Sequence, residues 1–159
     1  MNICFTGYRP EKSPFSLERE NPRLRELRIE IKAAIYEAAK GGAVFYCGMA
    51  RGFDIIAAKI VLELKKEGLP VQLFCVLPFS GYTISGGVWG KRYAECISSA
   101  DKIVMVCSGY SKYSFLKRDD YMVAHSERII AFYRKEIKGG GTEYTVKKAV
   151  SKGIIITVV

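Results

Sequence analysis

AVFYCGMARGFDIIAAKIVLEL, residues 43–64, changes its period halfway. The opening AVFYC is a short apolar run, as a strand buried on both faces would be, and IIAAKIVLEL repeats its apolar positions at helical spacing. Between them lies a turn of small residues containing Gly48, Ala50 and Gly52, with one cation at Arg51 and one acid at Asp54. A strand passed to a helix through such a turn is half of a βαβ unit.

The same alternation continues in both directions. Toward the N-terminus, NICFT (2–6) reads as a strand and 21–40 as a helix. Asn21 suits the N-cap and Pro22 the first helical position. Leu24, Leu27, Ile31, Ile35 and Ala38 form the apolar stripe, and Gly41–Gly42 ends it. Toward the C-terminus, strands are expected at 71–77, closed by Pro78, and at 102–108, 128–133 and 154–159. Helices are expected at 53–68, 91–101, 118–127 and 142–153. The pattern predicts an α/β fold: a single Rossmann-like domain over residues 1–159, with a mostly parallel sheet and helices on both faces. Right-handed crossovers place every strand's carboxyl end on one edge, where such sheets bind ligands.

Composition narrows the function classes. The chain has 159 residues, enough for one core, with 49% hydrophobic and 26% charged residues. No apolar run approaches the roughly 20 residues of a membrane span, and MNICFTGYRP has no secretory pattern. Five cysteines without C-x-x-C spacing predict reduced, buried thiols in a cytoplasmic protein. The lone His125 has neither metal-ligand spacing nor a triad partner, so no metal or cofactor is expected. Twenty-five Lys and Arg against sixteen Asp and Glu leave a net charge of +9. That excess favours phosphorylated or polyanionic partners, and it also serves plain solubility.

Candidate site residues lie in the loops after the strands. Gly7 allows a sharp turn in TGYRP, and Arg9 is suited to phosphate or carboxylate. In CGMARGFD, Gly48 and Gly52 open a helix start to an anion, Arg51 adds charge, and Asp54 can accept from a ribose hydroxyl or cap the turn. A tight βα turn alone would explain Gly48 and Asp54 but would leave Arg51 without a role. The glycine-rich stretch 78–93 offers Tyr82, Trp89 and Tyr93 as stacking rings, or as packed aromatics. SGYSKYSFLKRDDYMV interleaves tyrosines with basic residues in a way that suits phosphate-plus-base recognition, single-stranded nucleic acid included. KGGGTEYT sets three glycines before Thr142, a second anion-receiving helix start, although no Walker lysine follows.

TGYRP (6–10), CGMARGFD (47–54), WGKRYAECISSAD (89–101), KRDDYMV (117–123) and GGGTEYTVKKA (139–149) resemble, in order and over nearly the whole chain, the YpsA-like branch of the SLOG superfamily. That group of Rossmann-like proteins includes the DNA-processing protein DprA and the LOG phosphoribohydrolases, and GMARGFD is similar to the corresponding DprA turn. The resemblance implies a nucleotide or nucleotide-derived small molecule, such as an ADP-ribose-like compound, in a cleft between two glycine turns. It further implies a sensing or binding role of the kind proposed in phage or stress response. On that reading Gly48, Arg51 and Gly52 hold one phosphate, Gly140, Gly141 and Thr142 the other, Arg9 clamps from the turn that Gly7 allows, Asp54 engages ribose, and Trp89 or Tyr82 stacks on the base.

The LOG hydrolases carry M-x-x-R-K-x-x-M and P-G-G-x-G-T-x-x-E. Arg118 overlays the first motif's arginine, but Thr145 stands where the second has its glutamate, Lys138 replaces the proline, and one residue between the glycines is missing. A nucleotide-processing phosphoribohydrolase would therefore have to pair Arg118 with Glu143 or Glu95, or with Asp119, to stabilise an oxocarbenium-like state. Binding is the favoured reading. Hydrolysis and DprA-like single-stranded DNA binding are the alternatives, and homo-oligomer formation is left open.

Overall fold

The computed structural model describes residues 1–159. Its strands are β1 (Asn2–Gly7), β2 (Ala43–Cys47), β3 (Val71–Phe79), β4 (Lys102–Cys107), β5 (Arg128–Phe132) and β6 (Ile155–Val158). Its helices are α1 (Pro22–Ala38), α2 (Phe53–Lys66), α3 (Gly87–Ser99), α4 (Ser114–Ala124) and α5 (Gly140–Ser151). All five strand pairings are parallel, in the order β4-β3-β2-β1-β5-β6. This is the α/β architecture that the alternating pattern predicts.

Helix α1 begins as its sequence dictates. The Asn21 side chain accepts from Leu24 N–H at 3.0 Å, Pro22 occupies the first turn, and the expected stripe from Leu24 to Ala38 is buried. That stripe joins the buried residues of α2 and α3 in a core around Phe5, Phe45, Phe53 and Phe132. A second, smaller core on the other side gathers Met122 and Val123 of α4, Val146 and Ala149 of α5, and Cys4, Tyr46 and Ile129 of the sheet. Helices thus cover both faces.

Several boundaries differ from the expected ones, and three of the shifts bear on the packing. Strand β3 runs through Pro78 to Phe79, because β2 has already ended opposite Cys75 and no ladder bond on that side is lost. Helix α3 starts at Gly87 rather than 91, which lets Trp89 enter the core. Helix α4 starts at Ser114 rather than 118, with Ser114 fully buried and its hydroxyl accepting from Ser111 N–H at 2.8 Å.

The topology positions the site. The chain steps from β1 to β4 in one direction, then returns to place β5 on the free side of β1. The connections after β1 and after β5 therefore leave the sheet in opposite directions. A crevice opens between them at the carboxyl ends of the strands.

Candidate functional site

A cavity of about 470 Å³ occupies that crevice, within the size range of small-molecule sites. It is built from the loop after β1, the turn into α2, the first half of α4 and the glycine turn that starts α5.

The loop after β1 straps across the switch point. Tyr8 ties it to the segment after β5, its hydroxyl donating to Arg134 O at 3.1 Å and accepting from Arg134 N–H at 2.8 Å. Four residues on, Lys12 Nζ donates to Lys138 O at 2.9 Å and Gly139 O at 2.6 Å. A Cβ built on Gly140 would stand 2.9 Å from that ammonium group. Gly139 and Gly140 both have positive φ, 77° and 84°, which suits glycine and not a lysine or a proline there. A cation thus rests beside the positive end of a helix, an arrangement that an anion would relieve.

The turn into α2 is closed from within. Phe53 N–H donates to Tyr8 O at 3.2 Å, and Ala50 N–H donates to Asp54 Oδ2 at 3.2 Å. Gly52 has φ 95°, and a Cβ on it would stand 2.7 Å from Tyr8 O. Met49 beside it is fully buried at φ 57°, a conformation unusual for a side chain of that size, with its carbonyl accepting from Tyr82 OH at 3.2 Å.

Arg118 crosses from α4 to meet this turn. Its Nη1 donates to Gly48 O at 2.9 Å, while Nε and Nη2 both donate to Asp119 Oδ1, at 3.1 and 2.9 Å. Arg118, Asp119 and Asp54 are 6%, 4% and 6% exposed. Burial pushes the Asp54 carboxyl up to about 6, against the pull of Arg118 and the Ala50 N–H. Burial likewise raises Asp119 despite its Arg118 partner. For Arg118, burial opposes the charge, but the two acids outweigh it and hold the pKa above its ordinary value. Phe115 forms a wall, with the guanidinium groups of Arg9 and Arg118 lying 5.4 and 5.5 Å from its ring centroid.

Of the residues expected from sequence, Gly7, Arg9, Asp54, Arg118, Gly140, Gly141 and Thr142 line this one cavity, and so does Asp119. The two glycine turns, about ninety positions apart in the chain, meet at the same edge. The others lie elsewhere. Gly48 is packed beneath Arg118 and Asp54, and Gly52 against Tyr8, so neither faces the cavity. Arg51 turns outward to a 2.6 Å ion pair with Glu11, which gives it the role that a plain βα turn would leave unexplained: it joins two loops. The structure puts none of Gly48, Arg51 and Gly52 on the cavity, so a phosphate seat made of the three does not form there: the glycines are packed against neighbours and the arginine is paired with Glu11.

Trp89 is not a stacking platform. It is a core residue whose indole N–H donates to Glu18 at 2.5 Å, with Arg92 over its ring. Tyr82 packs among Phe79, Tyr93 and Phe115 outside the lining. Thr145 is buried in α5 away from the cavity. Two of the three carboxylates considered for hydrolysis are also displaced, while Asp119 stays at the cavity against Arg118. Glu95 pairs with Lys59 at 3.0 Å on the α2–α3 surface. Glu143 accepts from Gly139 N–H and pairs with Lys147 at 3.1 Å, and these partners hold its pKa below the usual range.

Sequence reasoning did not single out Lys12, Thr6, Leu116 or Met122, all of which line the cavity. Lys12 carried a usable signal, three residues beyond Arg9 in the first strand's loop. Leu116 and Met122 read as ordinary core apolar residues and offered none.

A family model described as the YspA SLOG family matches residues 3–153. Among curated proteins, UPF0398 proteins of Staphylococcus aureus, from strains JH9 and Mu3 among others, are 25% identical over 88 residues. That match covers 54% of this chain and 47% of theirs, so the chain spans about half the length of the curated relatives it matches. Among solved structures, the X-ray structure of TM1055 is similar with a TM-score of 0.57 and 16% identity, over 98% of this chain and 71% of that one. At that identity the likeness is one of fold.

Proposed function

The chain belongs to the YspA SLOG family, and on that footing we propose that it binds a nucleotide or a nucleotide-derived small molecule in the cavity between β1 and β5, as a binding or sensing domain. The observation that carries this reading is the composition of a single cavity: an open glycine helix start beside Lys12 and Arg9, an apolar wall, and two buried acids. A phosphate fits the outer side of the α5 start, where the N–H groups of Gly140 and Gly141, the helix dipole and Lys12 favour negative charge, beside the Glu143 carboxylate that already takes Gly139 N–H. Sugar hydroxyls fit the inner side, where Asp119 Oδ2 lies 3.2 Å from a Cβ built on Gly141. Phe115, Leu116 and Met122 supply the apolar contact for a base.

The closed α2 turn leaves one open anion seat, so a single phosphate group near Gly140 is expected to contribute most of the charge recognition. Binding is favoured over N-glycoside hydrolysis because Glu95 and Glu143 are engaged outside the cavity and Asp119, which does line it, is held in an ion pair by Arg118. Calorimetric titration with AMP, ADP and ADP-ribose, with ribose as the unphosphorylated control, tests the reading. The phosphorylated ligands are expected to bind and ribose to be silent. Lys12→Ala is expected to weaken binding roughly tenfold, a loss of about 1.4 kcal/mol. Silence from every phosphorylated ligand at millimolar concentration would overturn the assignment.

A further inference from the structure

Strand β4 is an edge of the sheet, paired on one side only. At its two ends Asp101 N–H donates to Leu73 O at 2.9 Å, and Cys107 O accepts from Ser80 N–H at 3.0 Å. The odd-numbered residues of this stretch therefore spend their backbone groups on the β3 side. Backbone groups alternate sides along a strand, which turns the N–H and C=O of Lys102, Val104 and Val106 outward.

The side chains alternate between the faces as well. Ile103 and Met105 stand in register with Cys75 and Leu77 of the larger core, yet they are 44% and 52% exposed. Val104 and Val106 pack on the smaller core. Edge strands that stay unpaired ordinarily carry a charge or a proline, and neither occurs from Ile103 to Cys107. The opposite edge is different. β6 has four residues, and its exposed Ile155 and Val158, an odd number of positions apart, point to opposite faces. Beyond it, Val159 O accepts from Arg134 Nη1 at 2.8 Å.

We propose that β4 pairs with β4 of a second copy of this chain, antiparallel across a two-fold axis at Val104, joining the two sheets edge to edge. In that register Val104 meets its own copy and Lys102 meets the second copy's Val106, with each outward N–H opposite a C=O. The row of backbone partial charges is thus its own complement. The strand's one formal charge, Lys102, faces a neutral residue, and the two lysines lie at opposite ends of the pair. Ile103 meets the second copy's Met105 between the hydrogen-bonded pairs, where side chains come closest, so the exposed apolar groups cover each other. The contact is isologous and closes on itself, whereas a β4-to-β6 pairing would propagate. A strand pair of this length buries well under the roughly 800 Å² per partner of a stable interface, so the dimer depends on concentration. It leaves the ligand cavity open, since no residue of β4 lines it.

Sedimentation velocity of the full chain from micromolar to millimolar concentration tests the pairing. The mass is expected to rise toward twice the 17.8 kDa of one chain. Over the same range the amides of Lys102, Val104 and Val106 are expected to gain protection from hydrogen exchange, while those of Ile103 and Met105, already turned to β3, change little. Val104→Pro removes an outward donor at a position where an edge strand tolerates proline, and Met105→Lys puts a charge into the apolar pair. Both are expected to keep the parent's circular dichroism and to stay monomeric; Met105→Lys, at an exposed site, carries the test if the proline disturbs the strand. A single mass at every concentration overturns the inference. So does a dimer that survives Met105→Lys, or one that forms without protecting the three outward amides.

Discussion

A methyl group built on Gly48 would stand 3.0 Å from Arg118 Cζ, Arg118 Nε and Asp54 Oδ2. None of these is the free end of an exposed side chain, so the group has nowhere to go. Gly48→Ala is expected to destabilise the fold by about 1–3 kcal/mol, measured by denaturant unfolding. Asp54 sets a different expectation. Its carboxyl titrates at about 6 in the fold against 3.8 without perturbation, so the folded state holds the proton more tightly than the unfolded chain does. The stability this contributes is full below 3.8 and is lost as pH rises through about 6. The charged groups facing Asp54 are Arg118 and Asp119 of α4 and Arg9 of the first loop. Asp54→Asn removes the buried charge and keeps an acceptor for Ala50 N–H. It is therefore expected to be more stable than the parent by about 1–3 kcal/mol at pH 7.5, with the difference closing toward pH 4.5 in thermal melts. A difference independent of pH would show that Asp54 ionises without penalty. At this level the sequence was a partial guide. Asp54, Gly48, Arg51 and Arg118 all stood out, but nothing local to either arginine said which would turn inward. Arg118 is drawn inward by Gly48 O, seventy residues away, and Arg51 outward by Glu11. Neither partner lies within the same local pattern.

The junction of β1 with α2 shows how the elements constrain one another. A Cβ on Gly7 would lie 2.3 Å from Phe53 Cγ, and Phe53 is itself fixed against Phe5 and Phe132. Gly7→Ala must move either the first strand or the first turn of α2, and a loss of about 3 kcal/mol is expected in equilibrium unfolding. A soluble variant of unchanged midpoint would mean that the ring can yield. Sequence periodicity found every one of these elements, because strand and helix periods are local properties of the chain. It placed the starts of α3 and α4 four residues late. In both cases the first turn is held by something distant: Trp89 by Glu18 and the core, Phe115 by Phe79 and Tyr82. Glycines and mixed aromatic-basic residues there looked like loop because local propensity favours loop, and burial overrides it.

Strand order gives the molecule its gradient of stability. β1 and β5 lie inside the sheet, while β4 and β6 form its edges with Ile103, Met105 and Ile155 exposed. Native-state hydrogen exchange is expected to protect the amides of β1, β2 and β5 longest, and those of β4 and β6 least. Uniform protection across the six strands would contradict this. No helix is long and apolar enough to cross a membrane. Alternation of short apolar strands with amphipathic helices already implied a parallel sheet, and parallel strands already implied loops of function along one edge; both follow from backbone geometry that any such sequence obeys. Which two loops would border the crevice depended on β5 returning to the side of β1, a pairing between residues about 125 positions apart. So did the identity of the open glycine turn. Tyr8 closes the start of α2 and Lys12 attends the start of α5, through contacts that exist only once the strands are in order. Composition and spacing report the chemistry a segment can offer; its neighbours in the folded chain decide whether that chemistry is already satisfied or left for a ligand.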